Sequence, residues 1–259
     1  MTPAPLLEAR GIRRAFGHVQ ALDGADFTLY RGEICALVGD NGAGKSTLVK
    51  ILSGVDRPDA GQILLDGNVV DIASPAIAQR LGISTVYQDL ALAPELSAAE
   101  NLFLGRELSR GGVLGALRFV DRHRMELAAV ERFAALGIAL ASQRVPVASL
   151  SGGQQQSVAI ARAAMWAGKV IFMDEPTAAL GVVQTGRVLD LIRQVRANGL
   201  SVVLISHNMP HVLEVADRIE VLRAGRRVAQ YTAAEASLSR LVAAMTAGGS
   251  EYFDEAARS

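Results

Sequence analysis

The octapeptide Gly39-Asp40-Asn41-Gly42-Ala43-Gly44-Lys45-Ser46 follows directly on five apolar residues, 34–38. Gly, four residues, Gly, Lys and then a hydroxyl side chain is the spacing of a phosphate-binding loop. The glycines let the backbone wrap closely around an anion with its N–H groups turned inward. A helix beginning near Lys45 aims its positive end at the same point. On this spacing Lys45 bridges the outer phosphates and Ser46 contacts magnesium. Strand, phosphate loop and helix in that order commit the chain to an α/β core.

The rest of the chain agrees with that commitment. Short, nearly all-apolar pieces at 34–38, 170–173 and 202–205 alternate with helical patterns, as strands of a parallel sheet buried on both faces do. Further strands are expected at 6–12, 27–30, 62–65, 83–87, 219–222 and 227–231, the early ones antiparallel. Between about 89 and 167 the pattern turns helical, with Met125, Leu127, Val130, Phe133, Ala134 and Leu136 at helical spacing before Gly137. The expected architecture is therefore an α/β P-loop NTPase core with a mostly parallel central sheet, an antiparallel β subdomain and a helical insertion. The core takes about 6–88 and 168–245, the helical subdomain about 89–167. Residues 109–115 read as a loop and 247–259 as a flexible tail.

Charge and cysteine usage narrow the function classes. Lys plus Arg and Asp plus Glu both number 26, so no net field draws the chain to nucleic acid or anionic lipid. Cys35 is the single cysteine, which excludes an intramolecular disulfide and points to a reducing compartment. It reads as a small buried hydrophobe. The first ten residues lack the basic and apolar regions of a signal peptide. No apolar run reaches the roughly 18 residues of a membrane span, so any membrane role comes through a partner.

Two more strings carry chemistry. Val170-Ile171-Phe172-Met173-Asp174-Glu175 is an apolar strand ending in two carboxylates, at the edge of an α/β sheet where ligands bind. Asp174 suits a metal contact, and Glu175 suits polarising a water that attacks a terminal phosphate. Leu150-Ser151-Gly152-Gly153-Gln154 offers a hydroxyl and glycine N–H donors at the start of a helix expected over 155–166, a second anion site.

Phosphate loop, this signature and the acidic strand, in that order, closely resemble the nucleotide-binding subunits of ATP-binding cassette transporters over about residues 6–245. The resemblance implies ATP as substrate and Mg2+ as cofactor. ATP is gripped by Gly39, Asn41, Gly42, Ala43, Gly44, Lys45, Ser46 and Thr47 of one copy and by Ser151, Gly152, Gly153 and Gln154 of another. Two nucleotides are thus clamped between two chains. Ser46, Asp174 and Gln88 become the metal contacts, while Glu175, His207 and Gln88 become the residues that serve hydrolysis. Gln88, in Tyr87-Gln88-Asp89, also relays nucleotide state to the transporter. Phe16 falls where relatives stack an aromatic ring on adenine, a core Phe being the competing reading. His18, His123 and His211 read as surface or structural residues, and Trp166 as packing.

One departure stands out. After Glu175-Pro176-Thr177 most relatives carry a carboxylate where this chain has Gly181, which puts the usual contact across the dimer in question. The strings Ile83-Ser84-Thr85-Val86-Tyr87-Gln88 and Ala99-Glu100-Asn101-Leu102-Phe103-Leu104-Gly105-Arg106 resemble the carbohydrate-uptake branch that imports ribose, xylose and fructose. This implies a homodimer, peripheral at the cytoplasmic face of the inner membrane. It docks on integral permease subunits and is served indirectly by a periplasmic sugar-binding protein. Nucleic acid and direct membrane insertion have no place in that picture. A different importer or exporter, a soluble family ATPase, or a nucleotide-gated regulatory subunit remain the alternatives.

Overall fold

The computed structural model describes residues 4–110, 119–140 and 142–246. The tail expected over 247–259 and most of the loop expected over 109–115 lie outside the described residues. Among the described residues ten strands form two sheets. β1 (Pro5–Phe16), β2 (Val19–Tyr30), β4 (Ala60–Leu65) and β5 (Asn68–Val70) make an antiparallel sheet in the order β2-β1-β4-β5. The second sheet has the order β10-β9-β3-β8-β7-β6, from β3 (Ile34–Val38), β6 (Ile83–Val86), β7 (Val170–Asp174), β8 (Ser201–Ile205), β9 (Arg218–Arg223) and β10 (Arg226–Thr232). Only the β9–β10 hairpin is antiparallel there; β9, β3, β8, β7 and β6 run parallel.

Strand composition explains this sheet. Side chains alternate across a strand, and here both faces are covered. Cys35, Leu37, Phe172, Val203 and Ile205 pack toward the antiparallel sheet, while Ile34, Ile171, Met173, Val202 and Leu204 pack under helices on the opposite face. Strands buried on both sides have no polar alternation to show. Each large apolar side chain removed from water contributes roughly 2 kcal/mol. Cys35 is fully buried, and its thiol is pushed well up by desolvation and by Glu220.

Helices follow from caps and apolar stripes. α1 (Lys45–Leu52) begins at the phosphate loop, and α2 (Pro75–Arg80) is capped by Ser74. α3 (Ala98–Leu102) opens on a capping box, Ser97 with Glu100, and α4 (Arg122–Ala135) on Asp121. Met125, Ala129 and Phe133 form the buried stripe of α4, whereas Leu127 and Val130, expected to share it, are exposed. Spacing by three or four continues from Met125 through Ala129; Leu127 and Val130 fall off that line. α5 (Gly152–Trp166) starts three residues before the expected position, and α6 (Val182–Ala197), α7 (Met209–Val215) and α8 (Leu238–Thr246) complete the set. No described helix is long and apolar enough to cross a membrane.

The turn between β4 and β5 is tied to the parallel sheet by charge. Asp66 accepts a hydrogen bond from Lys169 Nζ at 2.7 Å and pairs with Arg31. The Lys169 bond, helped by both nearby cations, holds the Asp66 carboxyl below its ordinary value of 3.8. Stabilisation from a depressed carboxyl is complete above the unfolded-state value and is lost as pH falls through the folded one. Asp66→Asn is therefore expected to lower the urea midpoint at pH 7 by an amount worth up to about 1 kcal/mol. The two proteins should converge as the pH is taken below that range. A deficit that stays constant down to pH 2.5 would contradict the assignment.

Candidate functional site

Parallel register brings three loops to one edge. Leu37 pairs with Ile205 and Asp174 also pairs with Ile205, so the carboxyl ends of β3, β8 and β7 lie side by side. From β3 the chain enters the phosphate loop, from β7 it enters Glu175, and from β8 it enters His207. β6 pairs alongside β7 through Val86 and Met173, and exposed Gln88 lies two residues beyond its end.

The loop needs its glycines for reasons of space. Gly39 has φ 152° and a Cβ there would run into the carbonyl oxygen of Leu222; Gly44 has φ 100° and a Cβ would lie 2.6 Å from Ala21 O. Lys45 Nζ donates to Gly39 O at 2.6 Å and to Asp40 O at 2.9 Å, which closes the loop over the start of α1. Asn41, Gly42 and Ser46 are exposed, Ala43 is buried, and Thr47 is partly buried on the first turn of α1. Burial lowers the Lys45 pKa, against the opposing pull of Glu175, Asp40 and Asp174. Burial and the neighbouring Glu175 charge push Asp174 upward. One cation and two carboxylates thus share a partly dry corner.

Glu175 sits in a left-handed backbone conformation, φ 49°, unusual for a residue with a side chain. Its N–H donates to Ile205 O at 2.9 Å, which fixes the loop to β8. Its Oε1 accepts the His207 N–H at 3.0 Å and lies 2.7 Å from His207 Nδ1. A carboxylate at that distance assigns the proton to Nδ1. His211 Nδ1 lies 3.2 Å from Thr177 Oγ1.

Ser151 caps α5, and Gln154 Oε1 reaches back to accept the Ser151 N–H at 3.0 Å. Gly153 is closed in by α6, and Gly152 lies within ordinary contact of Leu180 before it. A Cβ on Gly153 would meet Gln184 Cβ at 2.9 Å, and one on Gly152 would meet Leu180 Cδ2 at 3.7 Å. The signature therefore packs on 180–184 of its own chain. Among the described residues no hydrogen bond joins it to the phosphate loop. Gly181, at the start of α6, supplies no side-chain cap.

Phe16 is 49% exposed at the tip of the β1–β2 hairpin, which overturns the core reading, and the Arg14 guanidinium lies 4.7 Å from its ring centroid. The hairpin borders the phosphate loop through Ala21. Sequence reasoning passed over Arg162, the single charge in the apolar run 158–167, whose guanidinium bonds the carbonyls of Leu90 and Ala91. That isolated charge was the available signal.

Fold and site together define a P-loop nucleotide-binding protein. The ABC transporter family model matches residues 22–178. The chain belongs to the ABC transporter family and is an ATP-binding, ATP-hydrolysing cassette of it. It is 52% identical to a fructose import ATP-binding protein of Rhizobium meliloti, over 95% of each. It is 49% identical to a ribose import ATP-binding protein of Rubrobacter xylanophilus, over 88% of this chain but 44% of that relative, which it spans to about half. The ADP conformation of an ATP-binding cassette superposes with TM-score 0.78 at 26% identity, covering 90% of this chain and 93% of that one. A dimeric bacterial ABC transporter cassette gives 0.71 at 25%, covering 88% and 98%.

Gly39→Ala places a Cβ against the Leu222 backbone, which cannot move away without breaking the sheet. We expect a loss of about 2 kcal/mol or more in urea unfolding. A midpoint unchanged from wild type would show that the loop relaxes freely.

Proposed function

We propose that this chain energises uptake of a monosaccharide, acting as a homodimer docked on membrane permease subunits. It would be peripheral, at the cytoplasmic face of the inner membrane, with a periplasmic sugar-binding protein supplying the permease. The observation that carries the dimer is that, among the described residues, the signature makes no hydrogen bond to the phosphate loop of its own chain. Phosphate loop, Glu175 and His207 share a sheet edge, while Ser151 to Gln154 pack on 180–184 instead. A second copy, turned about a twofold axis, completes each site with its signature. The sugar class rests on the likeness, over most of this chain, to a fructose import and a ribose import ATP-binding protein.

In this reading the N–H groups from Gly39 to Thr47 and the Lys45 ammonium hold the phosphates, and Phe16 offers its outer face to adenine. Ser46, Asp174 and Gln88 would hold Mg2+. Three oxygen donors with one carboxylate fit an ion that keeps waters and phosphate oxygens as its other ligands, and no larger His, Cys, Asp and Glu cluster exists among the described residues. The ion supplies charge neutralisation on the terminal phosphates. Glu175 orients the attacking water and takes its proton, and His207 steadies Glu175 and meets the terminal phosphate. Exposed Tyr87 and Leu104 line a groove of about 420 Å3 beside Gln88, which supports contact with the permease there. The same reading divides the chain into the core at 6–88 and 168–245 and the helical subdomain at 89–167.

Glu175→Gln keeps the shape and removes the proton acceptor. We expect turnover to fall at least about a hundredfold while ATP binding persists and a dimer accumulates on gel filtration. Hydrolysis near the wild-type rate would remove Glu175 from the reaction.

A further inference from the structure

The far end of the signature helix is fastened to the loop that carries Gln88. Arg162 lies on α5, eleven residues beyond Ser151, or about 16 Å along a helix. Its Nη1 donates to Ala91 O and its Nη2 to Leu90 O, both at 2.8 Å. These carbonyls begin two residues after Gln88. Among the described residues no carboxylate pairs with this guanidinium.

Taking a guanidinium partly out of water against neutral acceptors alone costs stability. A planar fork that matches two successive carbonyls offers geometry in return, and a lysine cannot reproduce it. The loop needs that restraint, since Ala91 stands at φ 49°, a left-handed conformation that persists only when its surroundings impose it. One turn further along α5, Trp166 Nε1 donates to Leu102 O at 2.9 Å and its ring meets Phe103 edge-on at 6.2 Å. The carboxyl end of α5 is thus anchored to the Gln88 loop and to α3, and its amino end presents Ser151.

We propose that Arg162 is a positioning residue that ties the Gln88 loop to the signature helix. The group a chain uses in its own site and the group it lends to its partner then move as one body. This rests on the shared-site reading above and deepens it. A displacement of 88–91 passes through the paired carbonyls into α5 and reaches Ser151 without contact with the nucleotide. Arg162 touches neither ATP nor water in this scheme; it acts through Gln88 and Ser151.

The test compares the full chain with Arg162→Met and Arg162→Lys by amide hydrogen exchange and by steady-state ATP hydrolysis. In Arg162→Met, exchange should quicken at least about tenfold at 88–92 and also at 151–155, with β7 and β8 unchanged. The kcat should fall about tenfold or more while KM for ATP stays within about twofold, because Arg162 touches neither the phosphate loop nor Phe16, which hold ATP before the two copies close. Arg162→Lys, which keeps the charge and loses the fork, should show the same pattern at smaller amplitude, and carries the test if the Met variant does not fold. Faster exchange confined to 88–92, or an unchanged kcat, would overturn the coupling. A wild-type chain with no ATP turnover would instead overturn the function reading.

Discussion

Everything at the nucleotide edge depends on the hydrogen-bond ladder among β3, β8 and β7. All three are buried on both faces, so their only freedom is register, and a slip of one residue would reverse every side chain. The ladder holds Leu37, Ile205 and Asp174 in line. Phosphate loop, carboxylate pair and histidine each occupy the first residues beyond their strand. Long stretches of sequence separate them, and no local interaction brings them together. The sheet does so, because the side chains on its two faces pack closely against different neighbours and a slipped register would leave them misfitted.

In the proposed reading the site is completed by a second copy. Ser151 follows from a different layer, where α5 meets α6, and its glycines are shaped by Gln184 and Leu180 rather than by a ligand contact within the chain. A protein built this way gains control over catalysis. Closing two copies around ATP requires interactions that exist only with ATP bound, since a ligand shifts an equilibrium only by its differential affinity for the two states. Arg162, through its bonds to Leu90 O and Ala91 O, is the proposed link between the two halves inside each copy.

Legibility in the sequence tracked the range of the forces involved. Gly39 to Ser46 could be read because backbone space and helix direction are local constraints, and the apolar strands because two covered faces leave no alternation. The β4–β5 hairpin was missed: Asn68–Val70 is three residues long, with Asn68 and Val69 exposed, so it has no burial pattern to betray it. β1 and β2 run longer than expected for a similar reason. Their outer ends carry Arg13, Arg14, Val19 and Gln20, which are held by cross-strand pairing with Asp23, Leu22, Phe16 and Ala15 rather than by burial. Leu127 and Val130 show the reverse error, apolar residues placed in the core by type when the helix turns them to solvent. Within the site, Asp174, Glu175 and His207 were each visible at a strand end. Their mutual contact was not, because the 2.7 Å approach of His207 to Glu175 exists only once β7 and β8 are paired. Arg162 stayed hidden because its partners are backbone carbonyls, which carry no sequence signature.

Joint ownership of the triphosphate is the claim on which the rest turns, and the dependence of rate on protein concentration measures it directly. ATP turnover per chain should fall steeply as the protein is diluted through its dimer dissociation constant and should approach zero for the monomer. A per-chain rate that holds constant down to the most dilute monomeric sample would contradict the account.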